Sequence, residues 1–122
     1  MIVFDTGALV ALERRKQRAL QIWKTAQRDR LPIFVPGDVI VEWWRGRTDL
    51  RETILAGVVV EPVGVELGRA AGEALAETPG ATAIDAVVMA LAARKGAVVY
   101  TSDVGDLEEL RAYFPGVRVL AV

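Results

Sequence analysis

The chain has 122 residues, a formal net charge of −1, and neither cysteine nor histidine. Without cysteine there is no disulfide framework and no zinc–thiolate site; without histidine there is no Ser-His-Asp or Cys-His triad and no His-held metal. At 52% hydrophobic and 25% charged the composition is that of one globular domain over residues 1–122, whose chemistry must use carboxylates, hydroxyls, Lys/Arg or a metal-bound water.

In chain order, Met1–Phe4 is an unalternating apolar run that ends at Asp5. Pro32–Val35 is a second such run. After Val35-Pro36-Gly37, Asp38 is expected as the N-cap of a helix carrying Val39, Ile40, Val41 and Glu42. Gly57–Glu61 is the third strand. A helix is expected from about Ala81 to Lys95, with Thr82 as N-cap, Asp85 three residues on and Gly96 as the stop. Ile84, Val87, Val88, Leu91 and Ala92 give that helix one apolar face. Ala97–Tyr100 and Val117–Val122 are the last two strands. Short apolar strands separated by helices indicate buried parallel pairing. The order reads β-α-α-β-α-α-β-α-α-β-α-β, an α/β fold: a three-layer α/β/α sandwich around a central parallel sheet of about five strands.

Four acids punctuate this pattern. Asp5 ends the first strand, and Asp103 follows Ala97–Tyr100 across Thr101-Ser102. If those two strands are central neighbours, both acids flank the switch point where open α/β sheets bind ligands. Asp85 reaches the same rim from a helix N-terminus, or serves there only as a first-turn acid favoured by the helix dipole. Glu42 reaches it only if its helix crosses the top of the sheet. Carboxylates gathered this way repel unless a cation neutralises them, and oxygen-only donors suit Mg²⁺ or Mn²⁺. Such an ion activates water and stabilises charge on a phosphate. Thr6 and Thr101 either orient these groups or cap turns. Asp106 is either a further ligand or a first-turn acid of the helix Leu107–Tyr113.

The near-neutral total hides an asymmetry. Residues 13–51 hold ten basic and five acidic residues, a net +5, whereas residues 52–122 hold five basic and ten acidic, a net −5. A basic half beside an acidic site suits a phosphate backbone held next to a metal; a solvated helix face is the plainer reading. Arg45 and Arg47, just beyond Glu42, are candidate phosphate contacts, as are Arg14 and Arg15. Trp44 is a candidate for base stacking, while core or interface packing is the commoner fate for Trp23 and Trp43. No basic segment precedes a long apolar stretch, and no run approaches the roughly 20 apolar residues of a membrane span. The expected location is the cytoplasm, with no membrane partner.

The motifs together resemble a known family. Ile2-Val3-Phe4-Asp5-Thr6-Gly7-Ala8-Leu9 resembles the opening of PIN-domain ribonucleases, particularly the VapC-type toxins of toxin–antitoxin pairs. Val39-Ile40-Val41-Glu42 resembles that family's second acidic motif, Ala83–Ala92 its third, and Val98–Asp103 followed by Asp106-Leu107 its fourth. The resemblance implies Asp5, Glu42, Asp85 and Asp103 as metal-binding catalytic acids, with Thr6, Thr101 and Asp106 as accessory residues. It implies Mg²⁺- or Mn²⁺-dependent cleavage of RNA, a homodimer and a cognate antitoxin. Gly7 departs from the Ser or Asn often found there, and Trp43-Trp44 is bulkier than the usual aliphatic pair. Two other readings stand beside it: a PIN-like nuclease outside a toxin pair, and a non-catalytic module such as a phosphoacceptor receiver. Receivers carry an acidic pair after the first strand and a lysine near the last; here Asp5 is single and Val117–Val122 has no lysine. No glycine-rich phosphate loop is present.

Overall fold

A computed structural model describes all residues from Met1 to Val122. Its elements are β1 (Ile2–Phe4), α1 (Thr6–Glu13), α2 (Gln17–Arg28), β2 (Ile33–Pro36), α3 (Gly37–Trp43), α4 (Asp49–Ala56), β3 (Val59–Glu61), α5 (Val65–Glu77), α6 (Ala83–Lys95), β4 (Val98–Thr101), α7 (Gly105–Tyr113) and β5 (Arg118–Ala121). The five strands form one sheet in the order β3-β2-β1-β4-β5, with every pair parallel. The expected element order holds, and the strand bounds shift by one or two residues. No helix is long and apolar enough to cross a membrane.

The winding explains the layers. From β1 the chain moves to β2 and β3 on one side, then returns to β4 and β5 on the other. Right-handed crossovers therefore put the helices of the two halves on opposite faces. On one face α1 packs against α2 and α3; on the other α5, α6 and α7 pack together. The reversal lies between β1 and β4, which pair at Ile2–Val98, Val3–Val99 and Phe4–Tyr100. Val3, Phe4, Val35 and Val99 are wholly buried between the layers.

Two local expectations are corrected. α6 has no single apolar face: every residue from Ala86 to Ala92 is buried. The small side chains of Ala86, Ala90 and Ala92 let neighbours approach closely on all sides, so the helix is a core element. Asp38 is not an N-cap. Pro36, at φ −64° and ψ 148°, occupies that position without a side-chain bond, and Asp38 falls in the first turn of α3. Proline's fixed φ and missing N–H start this helix two residues early. Thr82 does cap α6, accepting from the Asp85 amide (3.1 Å), and Gly96 ends it at φ 64°, a left-handed conformation that costs glycine little.

Candidate active site

The carboxyl ends of β1 and β4 open into a cleft of about 190 Å³ lined by Asp5, Thr6, Gly7, Glu42, Asp85, Thr101, Ser102, Asp103 and Asp106. No lining residue is apolar and none is cationic. All four candidate acids are thus brought together, along with Thr6, Thr101 and Asp106. Larger depressions elsewhere are mostly apolar and hold no comparable set of titratable groups.

Each acid arrives by a different route. Asp5 follows β1 directly and caps α1, its Oδ1 accepting from the Ala8 amide at 2.8 Å. It is buried, at 8% exposure, and the Thr101 hydroxyl also bonds its carboxylate. Asp103 lies on the turn after β4. There the Thr101 hydroxyl oxygen accepts from the Asp103 amide (3.1 Å), fixing the turn, and its single proton lies between two acceptors, the Asp103 carbonyl (3.4 Å) and the Asp5 carboxylate. Asp85 stands in the first turn of α6, and Asp106 in that of α7.

Glu42 depends on tertiary ties. It sits at the end of α3, beside Trp43, whose Nε1–H donates to Glu13 Oε1 at 2.6 Å. The same oxygen accepts from Arg51 Nε at 3.0 Å, and Arg51 also donates to the Gly46 carbonyl at 2.8 Å. This clasp joins α1, the end of α3, the following loop and α4, and so holds α3 across the rim.

The electrostatics follow from the company these groups keep. Burial, chiefly, pushes the Asp85 carboxyl up to about 6; the charges of Asp5, Asp106 and Glu42 push the same way, against a bond from Thr82. Asp5 is also raised, first by burial and then by Glu42, against bonds from Thr101 and the Ala8 and Gly7 amides. None of Asp5, Glu42, Asp85, Asp103 or Asp106 is in a salt bridge, although five ion pairs exist elsewhere in the chain. The Thr6 hydroxyl is buried without a partner. No three of the carboxylates close on a common point in this side-chain arrangement. An ion that keeps most of its waters and takes one or two direct carboxylates fits such a set; a dehydrated ion would not.

The candidate RNA contacts stand apart. Arg14, Arg15, Arg45 and Arg47 are exposed, and none lines the cleft. Arg45 Nε donates to the Glu42 carbonyl (3.0 Å) and Arg47 pairs with Asp49 (3.2 Å). Trp43 is core, at 2% exposure, and Trp44 packs edge-on against it with ring centroids 5.8 Å apart. Trp23 is partly buried against Gly57, where a Cβ would lie 2.5 Å from its ring. Ser102, which in the sequence only links the fourth strand to Asp103, lines the cleft against Gly7.

The PIN-domain family model matches residues 2–112. The chain belongs to the PIN-domain family. No curated protein sequence matches it significantly. Among solved structures, it is similar to VapBC2 from Rickettsia felis bound to a promoter DNA fragment, at 12% identity, covering 100% of this chain and 99% of that one, with a TM-score of 0.77. A toxin–antitoxin complex from Klebsiella pneumoniae matches at 19% identity over 96% of this chain and 95% of that one, TM-score 0.73. VapC20 from Mycobacterium tuberculosis, a Sarcin-Ricin loop cleaving toxin, matches at 23% identity over 88% of this chain and 94% of that one, TM-score 0.69. At these identities the likeness is one of fold.

Proposed function

We propose that the protein is a metal-dependent endoribonuclease, the toxin of a toxin–antitoxin pair, and that Asp5, Glu42, Asp85 and Asp103 are its catalytic acids. The observation that carries this reading is one cleft at the sheet's switch point, lined by five carboxylates and no cationic side chain. Structural acids are ordinarily paired; acids left unpaired and destabilised by burial await a cation from outside. Similarity to toxins of this fold, one of them named a Sarcin-Ricin loop cleaving toxin, supports the substrate class.

In this reading Asp5 and Asp85 are the inner acids, held by the α1 cap and the α6 N-terminus. Glu42 and Asp103 close the cleft from its exposed side, and Asp106 adds negative charge. Thr101 orients the Asp5 carboxylate and the Asp103 turn together. Mg²⁺ or Mn²⁺ bound among these acids would supply an activated water and neutralise charge on the phosphate. The basic half, including Arg14, Arg15, Arg45 and Arg47, would hold flanking phosphates, with Trp44 beside them. The exposed side chains of Val59, Val60, Val63 and Val65 support a homodimer or antitoxin contact.

The test is cleavage of total RNA by wild type and Asp85→Asn, each in Mg²⁺, Mn²⁺ and EDTA. Discrete cleavage that needs both metal and Asp85 is expected, with the variant down on the order of a hundredfold or more. Cleavage that persists in EDTA, or that Asp85→Asn leaves unchanged, would overturn the proposal.

A further inference from the structure

The packing of Gly7 against Ser102 has a chemical consequence at the cleft. A Cβ on residue 7 would lie 2.0 Å from Ser102 Oγ, 3.0 Å from its Cβ and 3.2 Å from its amide nitrogen. The space a side chain at position 7 would fill is occupied by the Ser102 hydroxymethyl group. Gly7 lies in the first turn of α1 and Ser102 on the turn that leaves β4, and the two meet in the lining of the cleft.

The other lining groups show what that hydroxyl offers. The five carboxylates, when ionised, accept hydrogen bonds and donate none. The Thr101 hydroxyl is engaged with Asp103 and Asp5. The Thr6 hydroxyl oxygen is buried beneath the surface. The Gly7 and Ala8 amides are turned to the Asp5 carboxylate. Ser102 Oγ bonds to no protein group, and its residue is exposed to the cleft. A phosphodiester presents non-bridging oxygens that accept hydrogen bonds, and among the lining side chains Ser102 alone has an accessible donor.

We infer that Ser102 is a substrate-contacting residue: its hydroxyl donates to a non-bridging oxygen of the scissile phosphate, and Gly7 is small so that this hydroxyl can stand there. The inference rests on the nuclease reading above and adds to it a residue that orients substrate and does not bind metal. A hydrogen bond to a charged acceptor, removed without leaving a buried unpaired group, corresponds to a loss of roughly ten- to a hundredfold.

The experiment follows kcat and KM for RNA cleavage in Mn²⁺ alongside the Mn²⁺-induced rise in melting temperature, which reports the metal site without RNA. Ser102→Ala is expected to lower kcat/KM by roughly tenfold or more while keeping the wild-type Mn²⁺ response. Gly7→Ala removes no functional group but displaces the hydroxyl, so it should cause a similar loss. In a Ser102→Gly background the same change should cost little more, a non-additive pair. Wild-type kinetics for Ser102→Ala would overturn the inference and leave the nuclease reading intact. So would a Mn²⁺ response that falls in step with cleavage, which would move Ser102 to the metal. Absence of metal-dependent cleavage by the wild type would overturn both.

Discussion

Two of the sheltered carboxylate sites in this fold, around Glu13 and at the rim, are treated oppositely. Glu13 is 20% exposed and its Oε1 is answered twice: Arg51, itself 19% exposed, approaches to 3.0 Å, and the Trp43 indole donates to the same oxygen. At the rim, Asp5 is more deeply buried than Glu13 and faces further acids, with no cationic side chain among the lining residues. At Glu13 the counter-charge is built into the chain, as it is at Glu61. The rim acids are held in place by caps and hydroxyls but not neutralised, a local violation of good packing of the kind that marks functional sites. The contrast also links the two regions, because the satisfied acid holds the end of α3, from which Glu42 lines the cleft.

The sharpest way to break the comparison is to remove the satisfied acid. Glu13→Ala leaves Arg51 half-sheltered without its partner and the Trp43 N–H without an acceptor. A loss of about 2–3 kcal/mol is expected, because stranded polar groups cost more than the bond they formed. Urea denaturation measures it directly. RNA cleavage should fall as well, since Glu42 loses its support. A change within about 0.5 kcal/mol, the range of ordinary surface substitutions, would show that the clasp is incidental.

The rim should respond with the opposite sign. Asp85 titrates near 6 in the folded chain against 3.8 ordinarily, so the folded state holds that proton more tightly than the unfolded state does. Asp85's own contribution to metal-free stability is therefore fully present below about pH 4 and is lost as pH rises through 6. Asp85→Asn removes this dependence and should stabilise the protein in EDTA at pH 7 by about 1 kcal/mol, allowing for solvent screening of a half-buried group. Thermal melts across pH 4–8 check both statements. A variant less stable than wild type in EDTA would mean the acid is structurally paired. Mg²⁺ should raise the wild-type melting temperature more than the variant's, because a cation bound only to the folded state stabilises it by mass action. An Asp103→Asn variant, the natural choice from sequence, is the weaker probe, because the structure exposes Asp103 and places the burial at Asp5 and Asp85.

Why some of this was legible in the sequence is itself physical. Unalternating apolar runs separated by helices allow little except parallel strands, and the first and fourth strands at the centre put Asp5 and Asp103 at the switch point. Those inferences rest on local pattern and general topology. Glu42 could not be placed that way: its position depends on hydrogen bonds from Trp43 and Arg51 to a residue 30 and 38 positions away. The one-sided α6 failed because alanine is nearly neutral in a periodicity argument, yet in the fold it permits packing all round. Asp38 was misassigned because Asp is the commoner cap, but Pro36 had already set the helical entry. The Gly7–Ser102 fit involves residues at opposite ends of the chain, and neither carries any signal of the other.

The smallest expected effect sharpens the comparison by asking whether pairing alone, without shelter, stabilises anything. Arg28 and Asp29 form an ion pair at 2.9 Å, as short as the Arg51–Glu13 contact, but their side chains are 74% and 47% exposed. Water already solvates both charges, so pairing gains little and costs side-chain freedom. Asp29 is also the C-cap of α2, where negative charge opposes the helix dipole, a penalty that offsets what the pair contributes. Asp29→Asn should therefore leave the melting temperature unchanged at moderate salt, whereas Glu13→Ala lowers it clearly under the same conditions. If Asp29→Asn were as damaging, short ion-pair geometry would be stabilising whatever its surroundings. The rim acids' lack of a partner would then carry no special meaning. If it is silent, shelter and not short geometry separates Glu13 from Asp29, and the proposal that the cleft acids take a cation from solution keeps its footing.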